Sequence, residues 1–510
     1  MAKPGLDGVF ADWKSREGLA EAMIPMIGGL YRRNVVIYIH GVPLYNLSVI
    51  ELMKAHRAVR QIEQNEMSEF ETHPILDILC DMDLGRCHVD IGKLTTTFMA
   101  ENPDTTVADY DDLRRAYVQN ACGPVIGQHD TGPQEPIDVV VYGFGRIGRL
   151  VTRLLVEKTA GGHNMVQRAV VLRPPKDEVL DLERRASLLR QDSIHGSFSG
   201  TIRVETEERA LICNGNVIRF IYAGDPSAID YTKYGINNAL VIDSTGVWRD
   251  RAGLENHLKA KGVAKVLLTT SGKGDVKNIV SGVNSDQILE EDNVIAAASC
   301  TTNAIVPVLK CMNDGFGIVR GHMETIHAYT DDQNLHDNIH SKERRGRSAA
   351  LNMVLTESNA TSSVGKLLPE LAGKLTGNSI RVPVPNVSMA VLNLSLTKET
   401  SVDEVNEYLR DVAVNSAMQR QIDFTVSNEV VSTDFIGNRH AGIVDSFATI
   451  VEGSHAVLYV WYDNEFGYTC QVIRVAQKMT GVLYPVVPMQ PVSQSEHTEM
   501  VAKLKSASSL

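Results

Sequence analysis

A chain of 510 residues predicts two to four domains, and it is long enough to bury a large core without disulfide staples. With 43% hydrophobic and 22% charged residues it reads as globular, which excludes a largely disordered or collagen-like chain. A formal net charge of −12 argues against broad binding to nucleic acid or to an anionic membrane, while leaving room for a local basic patch that holds a phosphate.

The N-terminus, MAKPGLDGVFADWKSREG, is broken by charge and lacks an apolar h-region, so it is not read as a secretory signal. Residues 34–53 are the most apolar early stretch, but His40, Gly41 and Pro43 interrupt them and no membrane span is expected. The seven cysteines, Cys80, Cys87, Cys122, Cys213, Cys300, Cys311 and Cys470, are scattered without a CxxC pair. That argues against a disulfide framework or a structural zinc site and fits a reducing compartment. A cytoplasmic protein is the expectation.

Residues 1–134 read as a mostly helical N-terminal domain, with amphipathic patterns at 51–62 and 108–118. No catalytic constellation stands out there, and the adjacent Cys87 and His88 do not make a metal site; no metal is expected. Residues 123–136 hold three glycines and three prolines, which marks a linker.

After the linker the texture changes. Val139, Val140 and Val141 form a β-branched run that enters a glycine turn, and Ile147, Val151, Leu154 and Leu155 then recur at helical spacing. Further apolar runs at 169–172, 240–242, 266–268 and 294–298 alternate with helices or loops. That alternation predicts a mostly parallel α/β sheet. Beyond residue 320 the runs crowd together, at 382–391, 393–396, 447–451 and 456–462, as in an α+β domain with a partly antiparallel sheet. The polar tail, 487–510, is expected to be mobile.

Gly143, Phe144, Gly145, Arg146, Ile147 and Gly148 spell G-x-G-x-x-G between a predicted strand and a predicted helix. The first glycine permits the tight turn, the second lets backbone approach a pyrophosphate, and the third lets helix and strand pack closely. Dinucleotide-binding folds usually end the next strand with an acid for the ribose hydroxyls. Here the run 169–172 ends in Arg173, a cation suited to a 2′-phosphate, so the reading leans towards NADP over NAD; Asp177 and Glu178 are the alternative ribose acids.

A second motif, Ser299-Cys300-Thr301-Thr302-Asn303, follows an apolar strand, and Ile305, Val308, Leu309 and Met312 behind it share one helical face. Cys300 then lies at a helix N-terminus, where the dipole favours a thiolate. A thiol of pKa about 8.5 is only about 3% ionised at pH 7; lowering it to about 6 requires roughly 3.4 kcal/mol. A helix end supplies only part of that, so a histidine partner is expected. His327, at the end of the strand-like run 323–330, is the candidate.

Taken in order, GFGRIGR (143–149), DSIHG (192–196), STGVW (244–248), SCTTN (299–303), HAYT (327–330), LPELAGKLTG (368–377), RVPVPNVS (381–388) and WYDNEFGY (461–468) resemble the phosphorylating glyceraldehyde-3-phosphate dehydrogenase family. The resemblance spans residues 138–479; residues 1–134 match nothing in the ordinary enzyme. It implies a Rossmann dinucleotide-binding domain at 135–298, completed by 464–486, and a catalytic domain at 299–463. It also implies a thioester on Cys300 with His327 as base, and an oxyanion held by the Cys300 N–H and the His327 ring.

Further roles follow from the same resemblance. The substrate phosphate is expected near Thr330, Asp332 and Arg381, and attacking inorganic phosphate near Ser299, Thr301, Arg345, Ser358 and Asn359. Gly143, Gly145, Arg146, Ile147, Gly148, Arg173, Thr245, Gly246 and Thr269 are expected along the cofactor, with Asn464 and Tyr468 at the nicotinamide. A homo-oligomer, usually a tetramer in this family, is implied. The sequence departs from the family at Ser358-Asn359, which replaces the usual Thr-Gly, at Ala304 in place of a second cysteine, and at Gly224, near which an arginine is usual. Erythrose-4-phosphate dehydrogenase and a non-catalytic scaffold that kept the fold are the alternative functions.

Overall fold

The computed structural model describes residues 8–63, 67–104, 109–129, 132–133, 135–158, 164–356 and 360–488. The central sheet has nine strands in the spatial order 277–278, 294–296, 263–268, 239–243, 137–142, 165–172, 216–222, 210–213 and 202–205. The first seven run parallel and the last two are an antiparallel extension. The chain builds outwards from Ile137–Tyr142 in one direction, then returns to add Ala239–Asp243 on its other side. This reversal leaves a crevice at the carboxyl ends of those two strands, the place where open α/β sheets bind ligands.

Helix Arg146–Lys158 covers this sheet with Leu150, Val151, Leu154 and Leu155, all but fully buried. Each such side chain contributes about 1.5–3 kcal/mol, which explains why the apolar spacing was readable.

A second sheet of eight strands is built around Ile318–Ala328. That strand runs parallel to Leu375–Val382 and antiparallel to Ser388–Leu396. The expected single run at 382–391 is therefore two strands. Pro383 and Pro385 lack the N–H groups that a ladder needs, and the chain turns there. Helix Cys300–Phe316 packs on this sheet through Ile305, Val308, Leu309 and Met312, and it runs through Pro307 as one element.

The N-terminal unit is mostly helical, as its sequence indicates: Val9–Arg32, Val49–Glu63, Glu69–Cys80, Ile91–Glu101 and Tyr110–Cys122. It also contains a small sheet that periodicity missed, made of Val42–Pro43, Val35–Ile39 and Cys87–Asp90. The fourth strand of this sheet is Val486–Val487, from the other end of the chain, parallel to Cys87–Asp90. The His88 N–H donates to the Pro485 carbonyl at 2.8 Å. The start of the segment read as a polar tail thus ties the N-terminal unit to the rest; residues 489–510 lie outside the described residues. No described helix is long and apolar enough to cross a membrane.

Candidate active site and cofactor crevice

The helix after Ser299 and the strand after Gly317 form a return loop. Seventeen residues of helix, Cys300–Phe316, reach about 25 Å at 1.5 Å per residue. Gly317, at φ +68°, makes the turn. Strand Ile318–Ala328 then covers about 30 Å to His327 at 3.3 Å per residue. The two lengths nearly match, so the end of the strand comes back to the start of the helix.

Cys300 Sγ accordingly sits 3.5 Å from His327 Nε2. The opposite ring nitrogen, Nδ1, donates to the Ala328 carbonyl at 2.7 Å, which leaves Nε2 as the lone-pair side facing the thiol.

Strand register supplies the third member. His327 and Arg381 are direct partners across the parallel ladder. Arg381 Nη1 donates to the Ala328 carbonyl and to Thr330 Oγ1, both at 3.0 Å, and lies 3.1 Å from His327 Nδ1. Its Nε is buried without a hydrogen-bond partner among the described residues.

Thr330 donates in turn to Asp332, which also pairs with Arg345. Asp332 therefore positions a hydroxyl and a guanidinium. Arg345 also reaches Thr356 Oγ1, at 2.9 Å from Nη2. Its pairing with Asp332 joins it to Thr330 and Arg381, whereas the sequence placed it with Ser299 and Thr301. Those two are otherwise engaged. Ser299 Oγ accepts the Thr302 N–H at 3.0 Å as the helix cap, and Thr301 Oγ1 lies 3.1 Å from the Tyr462 hydroxyl. Ser358 and Asn359 lie outside the described residues.

Electrostatics at the pair differ from the sequence expectation. Burial pushes the Cys300 thiol above its ordinary value, outweighing the Arg381 charge and the N–H groups of Thr301 and Cys300, which act downwards. Burial, and then Arg381, pull His327 down to about 3. The ligand-free pair is a neutral thiol beside a neutral imidazole, because crowding disfavours both charged forms more than the helix end favours the thiolate.

At the crevice, Gly143 adopts φ +95°, and a Cβ on Gly148 would stand 2.2 Å from the Gly143 carbonyl oxygen. Gly145 faces open space. The Arg149 N–H closes on the Gly145 carbonyl, so the amides of Arg146, Ile147 and Gly148 before it have no intrahelical acceptor and are available to a diphosphate. Replacing Gly148 with alanine is expected to force backbone apart here. Thermal unfolding should show a loss of about 1–3 kcal/mol, together with weakened dinucleotide binding.

The Arg146 side chain does not turn to the crevice. It bonds Asp192 at 2.5 Å, and Glu465, and lies 3.3 Å from His195; only its backbone is left for a cofactor. His195 extends this network to Asp463 at 3.1 Å, and Asn386 joins it at 3.0 Å from Asp463. These partners tie the two sheets together beside Asn464. Sequence reading missed them, although DSIHG and WYDNEFGY contained the signal.

Thr245 bonds Asp243 through both N–H (2.8 Å) and Oγ1 (2.6 Å), and the Thr269 N–H reaches the Asp243 carbonyl at 3.0 Å. With Gly246, at φ +65°, they rim the crevice. Arg173 is exposed at the end of strand Met165–Leu172. The alternative acids are committed elsewhere: Asp177 caps a helix through the Leu180 N–H, and Glu178 pairs with Arg209. Asn464 is buried and accepts from Ser388 at 2.8 Å. Tyr468 donates to the Ala298 carbonyl at 2.9 Å, two residues before Cys300. The described residues contain no cluster that would hold a metal.

The glyceraldehyde 3-phosphate dehydrogenase NAD binding domain matches residues 137–251, and the C-terminal domain of the same family matches residues 299–464. The chain belongs to the glyceraldehyde-3-phosphate dehydrogenase family. As a family member it is an oxidoreductase with a nicotinamide dinucleotide site. It is 38% identical to the glyceraldehyde-3-phosphate dehydrogenase of Borreliella burgdorferi, over 67% of this chain and 99% of that one. It is 36% identical to that of Zymomonas mobilis, over 68% and 99%. A "glyceraldehyde-3-phosphate dehydrogenase-like protein" of Pseudomonas aeruginosa is 55% identical over 91% of this chain and 100% of its own. That wider coverage extends well into the N-terminal unit, so that relative shares the extension.

Proposed function

We propose that the chain oxidises D-glyceraldehyde 3-phosphate to 1,3-bisphosphoglycerate with inorganic phosphate and NAD(P), through a thioester on Cys300. The observation that carries this is Cys300 Sγ at 3.5 Å from His327 Nε2, with Arg381 linking that pair to Thr330. His327 takes the thiol proton as Sγ attacks the aldehyde carbon, returns it to the former carbonyl oxygen to complete the hemithioacetal, and takes that hydroxyl proton again as the hydride leaves. The bound nicotinamide supplies the hydride acceptor, and Asn464 and Tyr468 are the residues placed to orient it. Arg381 and Thr330 anchor the substrate phosphate, with Asp332 and Arg345 holding them in position. Inorganic phosphate then cleaves the thioester. The Cys300 N–H, at the helix start, supports the oxyanion.

Commitment of Asp177 and Glu178 favours Arg173 as the residue facing the adenosine ribose, and hence NADP. Leu335, Ile339, Leu351 and Met353 are 67–96% exposed on one segment. An apolar display of this kind supports a homo-oligomer, with a tetramer as the family's usual form.

Initial rates with glyceraldehyde 3-phosphate, NAD against NADP, with and without phosphate, test this reading, and sedimentation of the same preparation reads the oligomer. Reduction is expected to depend on phosphate, with a lower KM for NADP. Absence of phosphate-dependent reduction of either cofactor would overturn the proposal.

A further inference from the structure

The junction between the N-terminal unit and the dehydrogenase forms a cavity of about 260 Å³ that is partly open to solvent. Helices Arg146–Lys158 and Phe466–Met479 contribute Lys158 and Arg474, the segment 420–440 contributes Arg420 and Arg439, and the N-terminal sheet contributes Tyr38 and His88. None of these residues belongs to the candidate active site.

Four cations converge here, and among the described residues only one has an ion-pair partner. Arg439 Nη2 bonds both Glu157 oxygens, at 2.8 and 2.9 Å. Arg420 lies 2.8 Å from His88 Nδ1 and 5.2 Å over the Tyr38 ring. Arg474 Nη1 donates to Gln471 Oε1 at 2.8 Å and to the Arg420 carbonyl. Among the described residues neither arginine has an ion-pair partner. Among the described residues Lys158 has neither hydrogen-bond nor ion-pair partner. Asp423, which lines the cavity, is taken by Asn438 Nδ2 at 2.8 Å and faces His440 Nδ1 at 3.5 Å.

Three cations without carboxylates, partly withdrawn from water and close together, destabilise one another. Burial pulls Lys158 down to about 8, with Arg439 and Arg474 adding to the effect against Glu157. Burial likewise lowers Arg474 to about 10, with Arg420 adding to it against Cys470. An anion in the cavity would remove this conflict. Two guanidinium forks and an ammonium arriving from different elements suit the oxygens of a phosphate. The small volume suits a phosphate monoester or diphosphate and is below that of typical cofactor pockets.

We propose that this junction cavity is a second anion site that binds a small phosphate-bearing ligand, held jointly by the N-terminal unit and the dehydrogenase. Calorimetry and thermal unfolding of the full-length protein test it, with pyrophosphate, inorganic phosphate and glycerol phosphate as probes and sodium chloride at matched ionic strength as control. At least one phosphate probe is expected to bind saturably and raise the unfolding midpoint. Lys158→Met and Arg474→Gln should each weaken that binding at least tenfold, Lys158→Arg should retain it, and Arg381→Ala should leave it in place. If Arg474→Gln fails to fold, Lys158→Met and Lys158→Arg decide the matter. A preference for glycerol phosphate would identify a phosphomonoester ligand, and a preference for the inorganic probes a free anion; either supports the site. A midpoint shift reproduced by chloride, no saturable heat, binding unaffected by Lys158→Met, or binding abolished by Arg381→Ala would overturn it.

Discussion

Replacing Cys300 with serine is expected to lower phosphate-dependent turnover by about 10⁴-fold or more while leaving the fold intact. The substitution is nearly isosteric and the side chain is only half-buried, so the unfolding midpoint should move by no more than a few degrees. What is lost is the nucleophile. A serine hydroxyl at the same helix start has a far higher pKa, and neither the helix end nor His327 can offset that gap. Serine also forms an ester where the reaction needs a thioester, which accepts phosphate more readily. Initial rates beside thermal unfolding check the prediction. Activity within a hundredfold of the parent, at unchanged stability, would move the chemistry away from Cys300. The other cysteines are poor substitutes. Cys311, Cys213 and Cys122 are each pushed up to about 12 by burial, and none lies at a helix start beside a histidine.

The glycine turn and the Cys300 helix start of the candidate site were legible because local pattern and chemistry coincide there. Gly143, Gly145 and Gly148 announce themselves through backbone requirements, and the Gly148 clash with the Gly143 carbonyl is the physical form of that motif. Ser299 and Cys300 sit where a strand ends and an apolar helical face begins, which sequence spacing displays directly. Arrangements that depend on distant pairing were hidden. Nothing local says that Arg146 turns away to Asp192 and Glu465, or that His195 closes onto Asp463. Nor does spacing show that Val486–Val487 completes the sheet of the N-terminal unit. That return explains how a segment with no catalytic constellation becomes part of one molecule with the dehydrogenase. Tyr31 and Tyr45 reinforce it: their rings stack at 4.6 Å, and their hydroxyls both reach Glu157 at 3.1 Å. Glu157 also holds Arg439, so the residues that dock the N-terminal unit also border the junction cavity.

The His327→Asn variant should lose about 10²–10⁴-fold in kcat, the range general-base catalysis contributes, with a much smaller change in KM because Arg381 and Thr330, the proposed phosphate anchors, remain. Asparagine keeps a planar polar group but cannot take a proton from Sγ or from the hemithioacetal. The pH dependence separates this role from a structural one. In the parent, burial and Arg381 hold His327 near 3, so the imidazole stays in its basic form throughout pH 5–8 and contributes no acid limb there. The Cys300 thiol is pushed upwards by burial, so kcat/KM and the rate of Cys300 alkylation by iodoacetamide should both climb with pH across the neutral range. Removing the base should depress the alkylation rate at pH 7, since the thiol would lose the neighbouring group that accepts its proton as sulfur attacks. An alkylation profile identical in the parent and in His327→Asn would show that the histidine does not serve the thiol, even if turnover fell. A parent profile already flat below pH 6 would show that the resting pair carries its charges, and that contacts made with substrate or cofactor are not needed to create them.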